Sequence, residues 1–400
     1  MNLKIVRSIL FGIIACGIML TLLSNARPAA ANHAATPSAT CEPDRTQTSG
    51  ARYRICMPSI WFSNDVVIYA HGYVTPSAPL TIPVESDALA NALTSFGYAF
   101  ATTSFSTNGL AIKQGVADVI DLINIFKSEH PTAKHVLLVG FSEGGLVTTL
   151  ATEQYPNLIN GGLAACGPIG DFQKQVDYFG DFRVAFDYFF PSLMPGSPIS
   201  ITPSLMNNFE LTFTTVISSA LLNPSNAISV TQLFSVTGAP TDASAYSASV
   251  LTTTHDLLWY NVYATNDAIA KLGGQPFDNS TRTYTGSLND AALNANIERF
   301  SADVSARNEI QAYYQTSGVL QSPLVTLHTT GDQVVPYWHE ALYRAKVASH
   351  GRLPRLDQIT VARYGHCNFT LSEVQSAFTL LVSRVNNPQP FLQFLPLIKR

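Results

Sequence analysis

Residues 135–145 read HVLLVGFSEGG, and this stretch limits what the chain can fold into more than any other. Val136, Leu137, Leu138 and Val139 form a short unbroken apolar run, with the length and composition of a strand buried on both faces. It stops at Gly140-Phe141-Ser142-Glu143-Gly144-Gly145, a G-x-S-x-G pattern. A serine held at a sharp strand-to-helix turn needs small residues two positions to either side, because the two arms of the chain pass close together. After it, Leu146, Val147, Leu150 and Ala151 recur at the spacing of a helix packed on a sheet. That helix aims its N-terminus at the serine, where negative charge would develop. Ser142 is the candidate nucleophile.

The same alternation extends to both sides. Strands are expected over residues 51–57, 65–70, 98–103 and 158–166, with helices over 83–96, 112–126 and from the serine to about 155. Ile112, Val116, Val119, Ile120, Ile123 and Phe126 share one helical face. Strands alternating with helices indicate an α/β fold with a mostly parallel sheet. From residue 170 to 320 the rhythm breaks. Tyr178, Phe179, Phe182, Phe186, Tyr188, Phe189 and Phe190 crowd one segment, and helical patches are expected near 257–272 and 293–314. The stretch is too long for a loop and reads as an inserted, mainly helical cap. Most of its aromatic side chains are expected to form its own core rather than a pocket. The sheet resumes with strands over 323–329 and 356–364, a helix over 338–348, and a closing helix over 370–385. Thr370-Leu371-Ser372-Glu373 is a capping box for that last helix. The core is thus expected at 51–169 and 321–385, the cap at 170–320 and a tail at 386–400.

The N-terminus is of another kind. Lys4 and Arg7 precede an apolar run over residues 9–23, followed by Ala29-Ala30-Ala31. A run of about 15 is shorter than the ~20 residues a spanning helix needs, so residues 1–31 read as a secretory signal and 32–50 as a linker. Lipidation at Cys16 is the alternative. Only 12 % of the 400 residues are charged and the net charge is −4, so nothing suggests a nucleic-acid surface. Without Cys16, four cysteines remain: Cys41, Cys56, Cys166 and Cys367. An exported chain can join them in three ways. Cys41 with Cys56 is the cheapest pairing by closeness in sequence, which leaves Cys166 with Cys367. No C-x-x-C pair or clustered His/Cys spacing suggests a metal, and no cofactor is expected. Asn279-Ser280-Thr281 and Asn368-Phe369-Thr370 match glycosylation sequons, the second abutting His366.

A serine hydroxyl cannot attack a carbonyl at neutral pH without a general base, and that base needs an acid to fix its tautomer. In a parallel sheet all strand C-termini share one edge, so loops distant in sequence converge there. Asp332 follows the strand at 323–329, and His366 follows the last strand. His328, inside a strand, is read as packed core, and His255 and His339 as surface or structural residues. Asp171, after the strand at 158–166, is the rival acid. Residues 65–73, 140–145, 330–332 and 365–366 together resemble the α/β-hydrolase fold, and the resemblance covers about 51–169 and 321–385.

That resemblance implies Ser142 as nucleophile, His366 as base and Asp332 as acid. It implies backbone N–H groups of Tyr73 and Glu143 as the oxyanion hole, with His71 anchoring the loop. Tyr73 and Val74 stand where the glycine-rich lipase form carries glycines. The expected activity is cleavage of lipidic, aryl or polymeric carboxylic esters outside the cell or in the periplasm, with a small-molecule or polymeric ester as substrate, no nucleic-acid partner and no stable membrane span in the processed chain. A secreted peptidase of prolyl-oligopeptidase-like type and a non-catalytic binding protein on the same scaffold are the alternatives.

Overall fold

The computed structural model describes residues 40–387. The expected signal peptide, Cys16 and nearly all of the C-terminal tail lie outside the described residues. Within them, nine strands form one sheet: β1 (Thr40–Cys41), β2 (Arg45–Thr46), β3 (Arg52–Met57), β4 (Val66–Ala70), β5 (Ala99–Thr103), β6 (Val136–Phe141), β7 (Gly161–Ala165), β8 (Leu324–Gly331) and β9 (Leu356–Tyr364). The spatial order is β1-β3-β5-β4-β6-β7-β8-β9, with β2 also pairing with β3. From β5 to β9 every pairing is parallel, while β3 runs antiparallel to β5. Residues 40–46, expected as linker, instead contribute β1 and β2. The Cys41–Cys56 disulfide ties β1 to β3.

The central strands β4, β6 and β7 are apolar on both faces because helices cover both. Val66, Ile68, Ala70, Val136 and Leu138 face one side. There they meet α2 (Ile112–Glu129), α3 (Glu143–Gln154) and α11 (Trp338–Ser349). Their sequence neighbours Val67, Leu137 and Val139 face the other side. Period-two alternation sorts adjacent residues into the two layers. The second layer holds α1 (Ser86–Ser95) and α12 (Leu371–Asn386). Helix α12 starts with the expected capping box, in which Thr370 and Glu373 exchange side-chain and backbone bonds.

The segment between β7 and β8 is mainly helical. It holds α4 (Phe172–Phe189), α5 (Pro203–Thr212), a π-helical turn (Phe213–Ile217), α6 (Ser218–Leu222), α7 (Ala227–Thr237), α8 (Tyr246–Leu272), α9 (Asp290–Asn296) and α10 (Val304–Tyr313). Tyr178, Phe182, Phe186, Phe209, Leu233, Leu257 and Leu293 belong to a core of its own, separate from that of the sheet. Both expected helical patches are helical, with different extents. The patch at 257–272 is the second half of one 27-residue helix, and the patch at 293–314 is two helices split at Ile297, where the backbone turns extended. The aromatic stretch after 172 is the 18-residue helix α4.

Candidate active site

The sheet register gathers the candidate residues on one edge. Ala70 on β4 lies opposite Gly140 on β6, so the turn after β4 abuts the turn carrying Ser142. Phe141 lies opposite Ala165, and Gly331 opposite Tyr364, which brings Cys166, Asp332 and His366 to the same edge. The strand order reverses at β4, with β5 on one side and β6 on the other. Such a switch point leaves a crevice outside the strand ends.

Ser142 itself has φ 56° and ψ −122°, a conformation that side chains with a Cβ rarely adopt. The surroundings enforce it. A methyl group on Gly140 would collide with the Gly144 carbonyl oxygen, and one on Gly144 with that of Ala70. The Ser142 N–H donates to the Ala165 carbonyl at 2.9 Å, anchoring the turn to β7.

His366 Nε2 lies 2.8 Å from Ser142 Oγ. On the other side of the ring, Nδ1 donates to Asp332, 2.8 Å from Oδ2 and 3.0 Å from Oδ1. A carboxylate bonded at Nδ1 fixes the tautomer that leaves Nε2 free to accept a proton. Asp332 is fully buried, and its Oδ1 also accepts the N–H groups of Val334 and Val335 at 3.0 and 2.8 Å. Burial by itself would raise its carboxyl, but the neighbouring His366 and His328 outweigh that and hold it well below the usual carboxylate range. The turn carrying His366 is tight. Gly365 has φ 112° and Cys367 φ 49°, and Thr329 Oγ1 donates to the Gly365 carbonyl at 2.7 Å. Cys367 is bridged to Cys166 at the end of β7. Both disulfides therefore match the cheapest pairing scheme in the sequence.

The rival Asp171 makes no contact with His366. It caps α4, accepting from the Lys174 N–H at 3.2 Å and from Gln315 Nε2 at 2.8 Å. His339 is buried, accepting from the Gly170 N–H at 2.9 Å and facing Gln175 Oε1 at 2.8 Å. His255 lies on α8 between Asp256 and Glu210. Burial opposes its charge, yet the two carboxylates raise it to about 9. His71 is buried and stacks on Phe105 at 4.0 Å, with Nδ1 2.7 Å from the Gly72 carbonyl. Of the two sequons, Asn279 is buried and its amide donates to Tyr284 and Glu298, whereas Asn368 is exposed.

Tyr73 and Glu143 both border a cavity of about 130 Å³ that opens on Ser142. Glu143 is the first residue of α3, where backbone N–H groups have no intrahelical acceptor. Its side chain is buried and accepts the Ala111 N–H at 2.6 Å. Burial pushes the carboxyl up to about 8, against the pull of that N–H and of Lys271. The cavity walls are overwhelmingly apolar. Leu110, Ile112, Val334 and Val335 come from the sheet domain, Val176 and Phe179 from α4, and Tyr260, Ala264 and Ala268 from α8. Phe179 is thus the single member of the aromatic crowd at 178–190 that lines the cavity, stacking on Tyr260 at 4.9 Å. The α8 contribution escapes a sequence reading. Its only signal is the spacing of four between Tyr260, Ala264 and Ala268, which puts them on one helical face.

Residues 110–229, running from α2 through the Ser142 turn into the inserted helices, match the profile of the Hydrolase_4 family, described as serine aminopeptidase, S33. Over 83 residues the chain is 36 % identical to the lysosomal Pro-X carboxypeptidase of Bos taurus, a match that covers 19 % of this chain and 17 % of that enzyme's length. Solved structures of similar shape include an esterase of Pyrococcus furiosus (12 % identity, TM-score 0.45, 87 % of this chain and 91 % of that one). An acylaminoacyl peptidase of Pyrococcus horikoshii is another (10 %, 0.44, 87 % and 41 %), as is the rice cell wall degrading esterase LipA from Xanthomonas oryzae (12 %, 0.43, 86 % and 88 %). The sheet order, the strained turn at Ser142 and the family match define the α/β-hydrolase fold. The matched profile spans the Ser142 turn and its flanking helices, and the chain spans less than a fifth of the length of the curated relative it matches.

Proposed function

We propose that this chain is an exported carboxylic-ester hydrolase whose substrates carry an apolar acyl or aryl group. The observation that carries the reading is the cavity opening on Ser142, whose apolar wall of α4 and α8 side chains matches a hydrocarbon rather than a charged or peptidic group. Ser142 Oγ attacks the ester carbonyl carbon while His366 Nε2 takes its proton. The N–H groups of Tyr73 and Glu143 stabilise the tetrahedral oxyanion, each such donor being worth about 10²–10³ in rate. Collapse expels the alcohol, protonated by His366, and leaves an acyl-Ser142. Water then attacks that ester, giving its proton to His366, which returns it to Ser142 Oγ as the carboxylic acid departs. Asp332 holds the imidazole and balances its charge during both transfers. Export accords with the two disulfides, which persist in oxidising compartments.

A peptidase reading draws on the family match. A peptidase that grips a free amine needs an unengaged carboxylate in its pocket, and Glu143, the acid that lines the cavity, is engaged, as is Asp267 behind Leu110. Glu143 binds the Ala111 N–H, and Asp267 binds the Leu110 N–H at 2.7 Å and Lys271 at 3.1 Å. The test is a fluorophosphonate probe combined with a panel of p-nitrophenyl esters and aminoacyl amides. The expected result is labelling and ester turnover that both vanish in Ser142→Ala, with an unchanged melting temperature. Ester turnover surviving in that variant overturns the nucleophile, and faster cleavage of the amides than of the esters overturns the substrate class.

A further inference from the structure

Beneath the triad lies a fully buried histidine that the mechanism above does not use. His328 sits on β8, four residues before Asp332. Its Nε2 is 2.8 Å from the Val335 carbonyl and 3.5 Å from Asp332 Oδ2. Its Nδ1 is 3.3 Å from Oε1 of Glu340 on α11. A carbonyl oxygen only accepts, so Nε2 carries a hydrogen. The other Glu340 oxygen, Oε2, accepts the Thr326 hydroxyl at 2.6 Å and the Gln358 amide. A carboxylate so engaged faces Nδ1 as an acceptor too, which puts a hydrogen on both ring nitrogens. Both partners are almost completely buried, where a lone charge would be costly and a shared one is held.

We infer that His328 is a positioning residue: held as a cation between Asp332 and Glu340, it tempers the negative field that Asp332 presents to His366 and so sets the lower pH limit of the reaction. This rests on the triad reading above. The electrostatic balance agrees with the geometry. Burial opposes a charge on the ring, but the hydrogen bonds and charges of Asp332 and Glu340 prevail and raise His328 to about 10. The other groups around it carry no competing fixed charge at close range. The Tyr337 ring meets His328 edge-on at 5.8 Å. The buried His339 is driven well below its ordinary value by burial and by the nearby His328 charge. Around Asp332 stand the hydroxyls of Tyr178, Tyr260 and Tyr364, all raised by burial. Asp256 is reached only through Gln333, whose amide it accepts at 2.8 Å. Tyr343 faces Glu340 from α11 and is likewise raised by burial.

Two substitutions move the field in opposite directions. His328→Gln keeps a donor for the Val335 carbonyl but removes the cation, leaving the Asp332 charge uncompensated. The acid limb of the kcat/KM profile on a p-nitrophenyl ester then moves up by about one pH unit. Glu340→Gln keeps an acceptor at Nδ1 but leaves His328 with Asp332 as its only anion, so the limb moves down. Proton NMR of the wild type and of Ser142→Ala at pH 8 reads the ring directly, with two imidazole N–H signals that disappear in His328→Gln. Limbs that stay in place in both variants of an active enzyme overturn the inference, as does a single ring N–H. A wild type with neither ester turnover nor probe label on Ser142 is a different result: it overturns the triad reading and the inference with it.

Discussion

Asp332 and Asp171 are both acids that follow a strand, and their surroundings separate them. Asp332 is fully buried and bonded to His366 Nδ1, whereas Asp171 caps a helix among polar partners. Asp332→Asn offers an amide where Nδ1 needs an acceptor, and the wrong tautomer follows. Turnover of a p-nitrophenyl ester is expected to fall by about 10⁴. Asp171→Asn is expected to hold kcat within about twofold, since an asparagine side chain also caps a helix. Measured kcat for the pair decides between them, and a large loss at Asp171 with none at Asp332 would reverse the assignment. These residues were legible because each stands directly after an apolar run that reads as a strand. His328 was legible only as packed core. Nothing in the sequence says that Glu340, on a helix twelve positions later, turns towards it. That pairing follows from Glu340 on α11 reaching Thr326 and His328 on β8, which is a property of packing.

At the level of elements, legibility followed amphipathicity. Helix α2 buries Ile112, Val116, Val119 and Ile123 along one stripe, and its start matched the expectation at residue 112. Helix α4 carries buried residues around most of its circumference, polar ones such as Gln175, Asp177 and Arg183 included, because it lies between two cores. Periodicity fails as a guide for such a helix. The stretch that follows is harder still. Between Asp187 and Asp242 the sole charged residue is Glu210, so α5 and α7 have almost no charge to mark out their outer faces. The cavity wall on α8 was invisible for a related reason, since small residues carry no hydrophobic signal of their own. They do carry a prediction. Ala264 borders the cavity, and Ala264→Phe fills part of its about 130 Å³ with a ring. The ratio of kcat/KM for p-nitrophenyl decanoate to that for the acetate is expected to drop at least about tenfold, with acetate turnover largely kept. An unchanged ratio means that the acyl group lies elsewhere.

Across the whole molecule, the division of labour follows the two cores. The sheet domain brings Ser142, Asp332 and His366 to one edge through strand register, and the inserted helices supply the far wall of the cavity. The chain leaves the sheet at Cys166 and returns through β8, and Cys367 comes back to Cys166 after 201 residues. In the chain-entropy picture, closing so long a loop stabilises by about 5 kcal/mol. The bridge also encloses every inserted helix within one covalent ring. A single cut in that ring opens it without separating anything. With an engineered protease site at the exposed Gly238 turn, cleavage is expected to leave one band on a non-reducing gel and two after reduction. Two bands without reductant would break the ring closure. Nicked among its inserted helices, the protein can thus remain one molecule, with His366 still tethered to the strand beside Ser142.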